Sequence, residues 1–189
     1  MNLADLVEPI VALSQQAGDA ILEVYATDFD VQAKDDDSPL TQADMASHRV
    51  IDKGLKDLTP DIPVISEESG LPDFDERGQW DMYWLIDPLD GTKEFVNRNG
   101  EFTVNIALID GNRPVLGVVH VPVTNKTYTG CEGVGAAVSK FHLDLVPNLV
   151  AGIRHKILTD QKLSPAWVLT SVQGGKFINP HIFEIFDRN

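Results

Sequence analysis

Two aspartates close an apolar run in the segment WLIDPLDGTKEF, residues 84–95: Asp87 and Asp90 flank Pro88 and Leu89, with Gly91 and Thr92 directly after. A shorter apolar run, PVISEES, ends on Glu67 and Glu68. Acidic side chains at the carboxyl ends of strands in a layered α/β protein reach the crevice where ligands bind. Carboxylates crowded there raise one another's pKa and resist ionisation unless a cation joins them. An all-oxygen set suits Mg2+ or Mn2+ better than zinc, which prefers His and Cys. Pro88 restricts Asp87 to extended backbone, so Asp87, the Leu89 carbonyl and Asp90 can turn toward one point, with Asp87 bridging two ions. A helix or tight turn opening at Gly91 and Thr92 would aim backbone N–H groups into the same crevice and cradle a phosphate. The same letters also read as a plain proline–glycine turn, but the buried strand before them and the upstream SEES favour a site. A calcium hand is excluded, because Leu89 and Arg98 occupy the third and twelfth places counted from Asp87. Two residues rather than one separate the aspartates, which argues for metal ligands and against an aspartyl-phosphate nucleophile.

These side chains need elements to carry them. Leu3, Val7, Ile10, Ala17, Ile21 and Val24 recur at helical spacing and predict an amphipathic helix over residues 3–25. The polar stretch after it, with Asp35, Asp36 and Asp37, reads as a solvated turn. A second helix is expected from Thr41 to Leu58, with Met45, Val50 or Ile51, Leu55 and Leu58 inward and Pro60 as its stop. Thr41-Gln42-Ala43-Asp44 has the form of a capping box for that helix. PVIS and MYWLID read as strands, with a polar loop over residues 71–81 between them. TVNIALID and RPVLGVVHVPV, joined by Asp110-Gly111-Asn112, read as a hairpin. NKTYTGCEGVGAAVSK suggests one more short strand pair. From Phe141 onward no period or turn grammar assigns an architecture, and there are no internal repeats.

The 189 residues carry 15 Lys and Arg against 29 Asp and Glu, a net charge of −14. That balance offers nothing to nucleic-acid backbones or anionic lipid, so no nucleic acid is expected as a partner. No apolar run approaches the length of a membrane span, and the acidic, proline-containing N-terminus lacks the pattern of a signal peptide. The single Cys131 fits a reducing compartment, so the expected location is cytoplasmic, with peripheral association at the inner membrane face allowed.

WLIDPLDGTKEF resembles the signature of the inositol monophosphatase superfamily, a strand followed by Asp-Pro-Ile/Leu-Asp-Gly-Thr and Phe. DGTKEF, KDDDSPLTQAD and NGEFTVNIALI are most similar to its bacterial 3'(2'),5'-bisphosphate nucleotidase branch, in which Glu94 stands where inositol enzymes typically have Asn. The resemblance implies an α/β layered sandwich of the sugar-phosphatase type, represented by its N-terminal half only. Residues 1–139 would form the metal- and phosphate-binding domain and residues 140–189 an unmatched tail, frameshifted or divergent. It implies metal ligation by Glu67, Asp87, the Leu89 carbonyl and Asp90, with two or three Mg2+ ions or Mn2+ in their place. Asp90, Gly91 and Thr92 would hold the substrate phosphate, while Asp44 and Thr92 position and deprotonate the attacking water. Glu68 and Lys93 are weaker candidates, and none of the five histidines is assigned to catalysis. The implied substrate is a small nucleotide bisphosphate, adenosine 3',5'-bisphosphate, with its sulfated analogue second.

The family pattern also demands a downstream Trp-Asp-x-Ala segment whose aspartate completes a second metal site. Here Trp167 is followed by Val168, and Trp80-Asp81 lies ahead of the metal strand. Asp144, Asp160, Glu184 and Asp187 are the acids left to substitute. Without the missing ligand a catalytically inactive member of the family is the alternative, and an inositol or other sugar phosphatase is a further one. An apolar face left uncovered by a missing half is expected to favour self-association.

Overall fold

The computed structural model describes residues 1–27 and 39–138. The order of elements is α1 (Ala4–Tyr25), α2 (Pro39–Leu58), β1 (Val64–Ser66), a 3-10 turn (Glu67–Ser69), α3 (Phe74–Arg77), β2 (Met82–Asp90) and α4 (Thr92–Val96). Then come β3 (Thr103–Asp110), β4 (Arg113–Val121), a second 3-10 turn (Pro122–Thr124), β5 (Lys126–Cys131) and β6 (Gly135–Val138). Asp35–Asp37 and the acids proposed as substitutes in the tail lie outside the described residues.

The six strands form one sheet in chain order, β1 to β6. β1 runs parallel to β2, and every later neighbour is antiparallel. Antiparallel partners need only short turns, and the β3–β4 turn is Gly111-Asn112, between the paired Asp110 and Arg113. The parallel pair needs a crossover. Residues 67–81 supply it, and α3 lies inside what the sequence reads as a polar loop.

α1 and α2 pack on each other and cover the sheet, α1 over β3, β4 and β5, α2 over β2. α1 buries Leu6, Ile10, Leu13, Ala17 and Ile21, a 3- and 4-residue spacing that keeps them on one face. Leu3, Val7 and Val24, also expected inward, are only partly buried at its margin. α2 buries Ala43, Ser47, Ile51 and Leu55, whereas Leu58 is exposed and Met45 half-buried, a stripe rotated from the expected one. The helix starts at Pro39, ahead of Thr41, so the anticipated capping box falls within its first turns. Proline suits a first helical position because its missing N–H would be unpaired there anyway.

Trp84, Ile86, Val104, Ile106, Leu108, Leu116 and Val118 meet the helices in one core. Burying a side chain of this size stabilises by about 1.5–3 kcal/mol. Trp84 Nε1 donates to Thr59 Oγ1 at 2.9 Å, tying the end of α2 to β2. Tyr25, Phe95 and Phe102 form an aromatic triangle with centroids 5.0, 5.2 and 5.4 Å apart, which seats α4 against the end of α1. Among the described residues no helix is long and apolar enough to cross a membrane.

Candidate metal and phosphate site

In an unbroken strand, residues three apart point to opposite faces, so Asp87 and Asp90 could not share a site. β2 solves this with a bulge. Asp87 pairs with Asn105 and Asp90 with Thr103, three steps on β2 against two on β3. The extra residue returns Asp90 to the face of Asp87, opposite two side chains of β3 that already share a face. Pro88 sits in the bulge, where a missing N–H is tolerated. The strand therefore runs through the proline to Asp90, where the sequence suggested a simple bend.

Asp87 is buried, with 6% of its surface exposed, and neither carboxylate oxygen has a hydrogen-bond partner of good geometry. Burial pushes its pKa well up, and Asp90, Glu67 and Asp44 push it further; only the nearby Leu89 backbone N–H opposes them. Asp44, on α2, is raised to about 8 by burial, by repulsion from Glu68, by a carboxyl–carboxyl hydrogen bond with Glu68, and by Glu67. Its Oδ1 is also buried without a partner. Among the described residues the charges that shift these two groups, Glu67, Glu68, Asp90 and Asp44 itself, are acidic, and Lys93, exposed on α4, is not among them. The structure thus brings Asp44, Glu67, Glu68, Asp87 and Asp90 into one neighbourhood from α2, the turn after β1, and β2.

Among the described residues, no three His, Cys, Asp or Glu side chains already stand at a metal's coordination geometry. The donor chemistry nevertheless fits a hard divalent cation: buried, unpaired carboxylate oxygens surrounded by like charge are stabilised by one.

Gly91 caps α4 in the left-handed region with φ 102. A Cβ there would stand 3.1 Å from Phe102 Cα and 3.3 Å from Phe102 Cβ, so only glycine lets the chain turn from Asp90 into Thr92 at this spacing. Thr92 opens α4 and is exposed.

Five residues hold the acidic ones in place without having been singled out from sequence. Asn105 Nδ2 donates to Asp90 Oδ2 at 3.1 Å, and Thr103 Oγ1 donates to Asn105 Oδ1 at 3.3 Å. Ser47 Oγ donates to the Pro88 carbonyl at 2.8 Å. His48 Nδ1 meets Ser66 Oγ at 2.8 Å. Only the alternation that puts Asn105 on the polar face of TVNIALID was available as a signal.

The inositol monophosphatase family model matches residues 2–178. A 3'(2'),5'-bisphosphate nucleotidase CysQ of Escherichia coli O157:H7 is 56% identical over 130 residues, 68% of this chain and 52% of the relative. The protein of that name from E. coli K12 is 55% identical over the same length. A crystal structure of CysQ from Bacteroides thetaiotaomicron, described as a bacterial member of the inositol monophosphatase family, superposes with a TM-score of 0.63 at 44% identity. That superposition covers 69% of this chain and 48% of the other. The chain spans about half the length of the curated relatives it matches. On the sequence match, the sheet and the acidic bulge together, the chain belongs to the inositol monophosphatase family.

Proposed function

We propose that this chain carries the metal- and phosphate-binding half of a 3'(2'),5'-bisphosphate nucleotidase, acting on the 3'-phosphate of adenosine 3',5'-bisphosphate to give AMP and phosphate. The sulfated analogue is a second substrate of the same chemistry. The observation that carries the reading is the buried Asp87 carboxyl, both oxygens unpaired, among Asp44, Glu67 and Asp90. The nucleotide specificity rests on the likeness to the CysQ proteins.

Glu67, Asp87, the Leu89 carbonyl and Asp90 would hold Mg2+, which supplies neutralisation of the acids and of the substrate phosphate. Asn105 keeps Asp90 oriented. The turn at Gly91 and Thr92 presents backbone N–H groups to the phosphate. Asp44 accepts a proton from the attacking water, and Thr92 orients that water through its hydroxyl. Burial, with Glu68 and Glu67 beside it, holds this carboxyl at about 8, and a cation that offsets the neighbouring charge favours the ionised form that accepts a proton.

The test is Mg2+-dependent phosphate release from adenosine 3',5'-bisphosphate, with Asp90→Asn beside it. Release that the variant abolishes supports the reading, and release that Asp90→Asn leaves intact sinks it. A second reading, ion and phosphate binding without turnover, is favoured by these 189 residues holding no Trp-Asp-x-Ala segment, Trp167 being followed by Val168. Ion binding with no phosphate release would select it.

A further inference from the structure

Asp44, Ser47 and His48 stand three and four residues apart on α2, which puts them on one face of the helix. Each reaches a different part of the acidic site. Asp44 meets Glu68 in the turn after β1. Ser47 holds the carbonyl of Pro88 inside the β2 bulge, a contact across 41 residues of chain. His48 holds Ser66, the last residue of β1 and the residue immediately before Glu67.

Ser66 is buried, and its hydroxyl accepts from the Glu68 N–H at 3.3 Å, capping the short turn that carries Glu67 and Glu68. Its proton remains free to be donated to His48 Nδ1. The imidazole therefore fixes a hydroxyl that in turn fixes the turn. β1 has only three residues and, among the described residues, lies at the sheet edge, so the ladder alone restrains its end weakly.

We propose that His48 is a positioning residue of the metal site. Through Ser66 it sets the distance of the Glu67 turn from the Asp87 and Asp90 bulge, with Ser47 anchoring the same helix to the bulge. The proposal rests on the metal reading given above and adds a residue that touches neither ion nor phosphate. Partners of this kind change metal affinity by about 10- to 100-fold when removed.

The experiment is Mn2+ binding followed by electron paramagnetic resonance in the wild type, His48→Ala, His48→Asn and Ser66→Ala, each first checked for a cooperative thermal transition. Asn places an acceptor where Nδ1 stands. His48→Ala and Ser66→Ala should each weaken Mn2+ binding about 10-fold or more, with the His48→Ala/Ser66→Ala double variant no worse than Ser66→Ala alone. His48→Asn should recover most of the affinity, which a general loss of stability would not allow. If His48→Ala does not fold, His48→Asn and Ser66→Ala carry the comparison. Wild-type binding matched by both Ala variants, or strictly additive losses, overturns the positioning role alone. A wild type that takes no Mn2+ overturns the metal reading and this role with it.

Discussion

Asp87 is the residue on which stability and chemistry pull apart. Without a cation, a carboxyl buried among three other acids destabilises the fold, so Asp87→Asn should melt several degrees higher than the metal-free wild type at pH 8, a gain of about 1–2 kcal/mol. The same variant should lose the rise in melting temperature that Mg2+ gives the wild type, and a pair of thermal scans reads both effects. Gly91→Ala tests the neighbouring turn: strain at φ 102 and contact with Phe102 should cost about 1–3 kcal/mol, measured by urea unfolding. At this scale the gathering of the acids was legible in the sequence, since Asp-Pro-Leu-Asp-Gly after an apolar strand permits few chemistries. The side chains that hold the acids were not legible. Asn105, His48 and Ser66 become neighbours of the acids only through sheet register and helix docking, which no local spacing encodes.

At the scale of elements, His120 on β4 is a buried joint between the sheet and α1. It is 2% exposed, its Nδ1 lies 2.9 Å from Thr127 Oγ1, and burial lowers its pKa to about 4 despite Asp19 and the Lys126 backbone. Above pH 6.5 the imidazole is neutral in folded and unfolded chains, so it contributes no pH dependence there. As pH falls from 6.5 toward 4 the unfolded chain takes up a proton that the folded one refuses, and up to about 3 kcal/mol of stability is lost. Asp44 and Asp87, both raised, shift stability the other way over this range, so the His120 contribution reads out as a difference: between pH 7 and pH 5, urea unfolding should show His120→Gln gaining stability relative to the wild type. A Cβ at Gly18 would come within 2.7 Å of His120 Cδ2, so Gly18→Ala should destabilise by about 1–3 kcal/mol in the same assay. The long helices and the hairpin strands were legible because their periodicity is sustained. α3 was not, being four residues in a polar segment, and the start of α2 was displaced because Pro39 favours a first helical turn as well as Thr41 favours a cap.

The whole molecule carries a net charge of −14, and compaction brings that charge together. Raising NaCl from about 20 to about 200 mM should therefore raise the melting temperature, as screening shortens the reach of the repulsion. MgCl2 at matched ionic strength should raise it further, and Asp90→Asn should keep the first increment while losing the second. The overall α/β plan followed from the order of periodic segments, whereas the bulge that puts Asp87 and Asp90 on one face could be seen only in the pairing of β2 with β3. The sheet order also matters for how the chain is made. Because the strands β1 to β6 lie side by side in chain order, each one after β1 meets on leaving the ribosome a partner already synthesised. From β2 onward, sequential hairpin addition keeps contacts short in sequence and loop closure inexpensive, which favours growth of the sheet during translation. The β2–β3 pairing that shapes the acidic face would then be complete when Asp110 emerges, well before β6 exists.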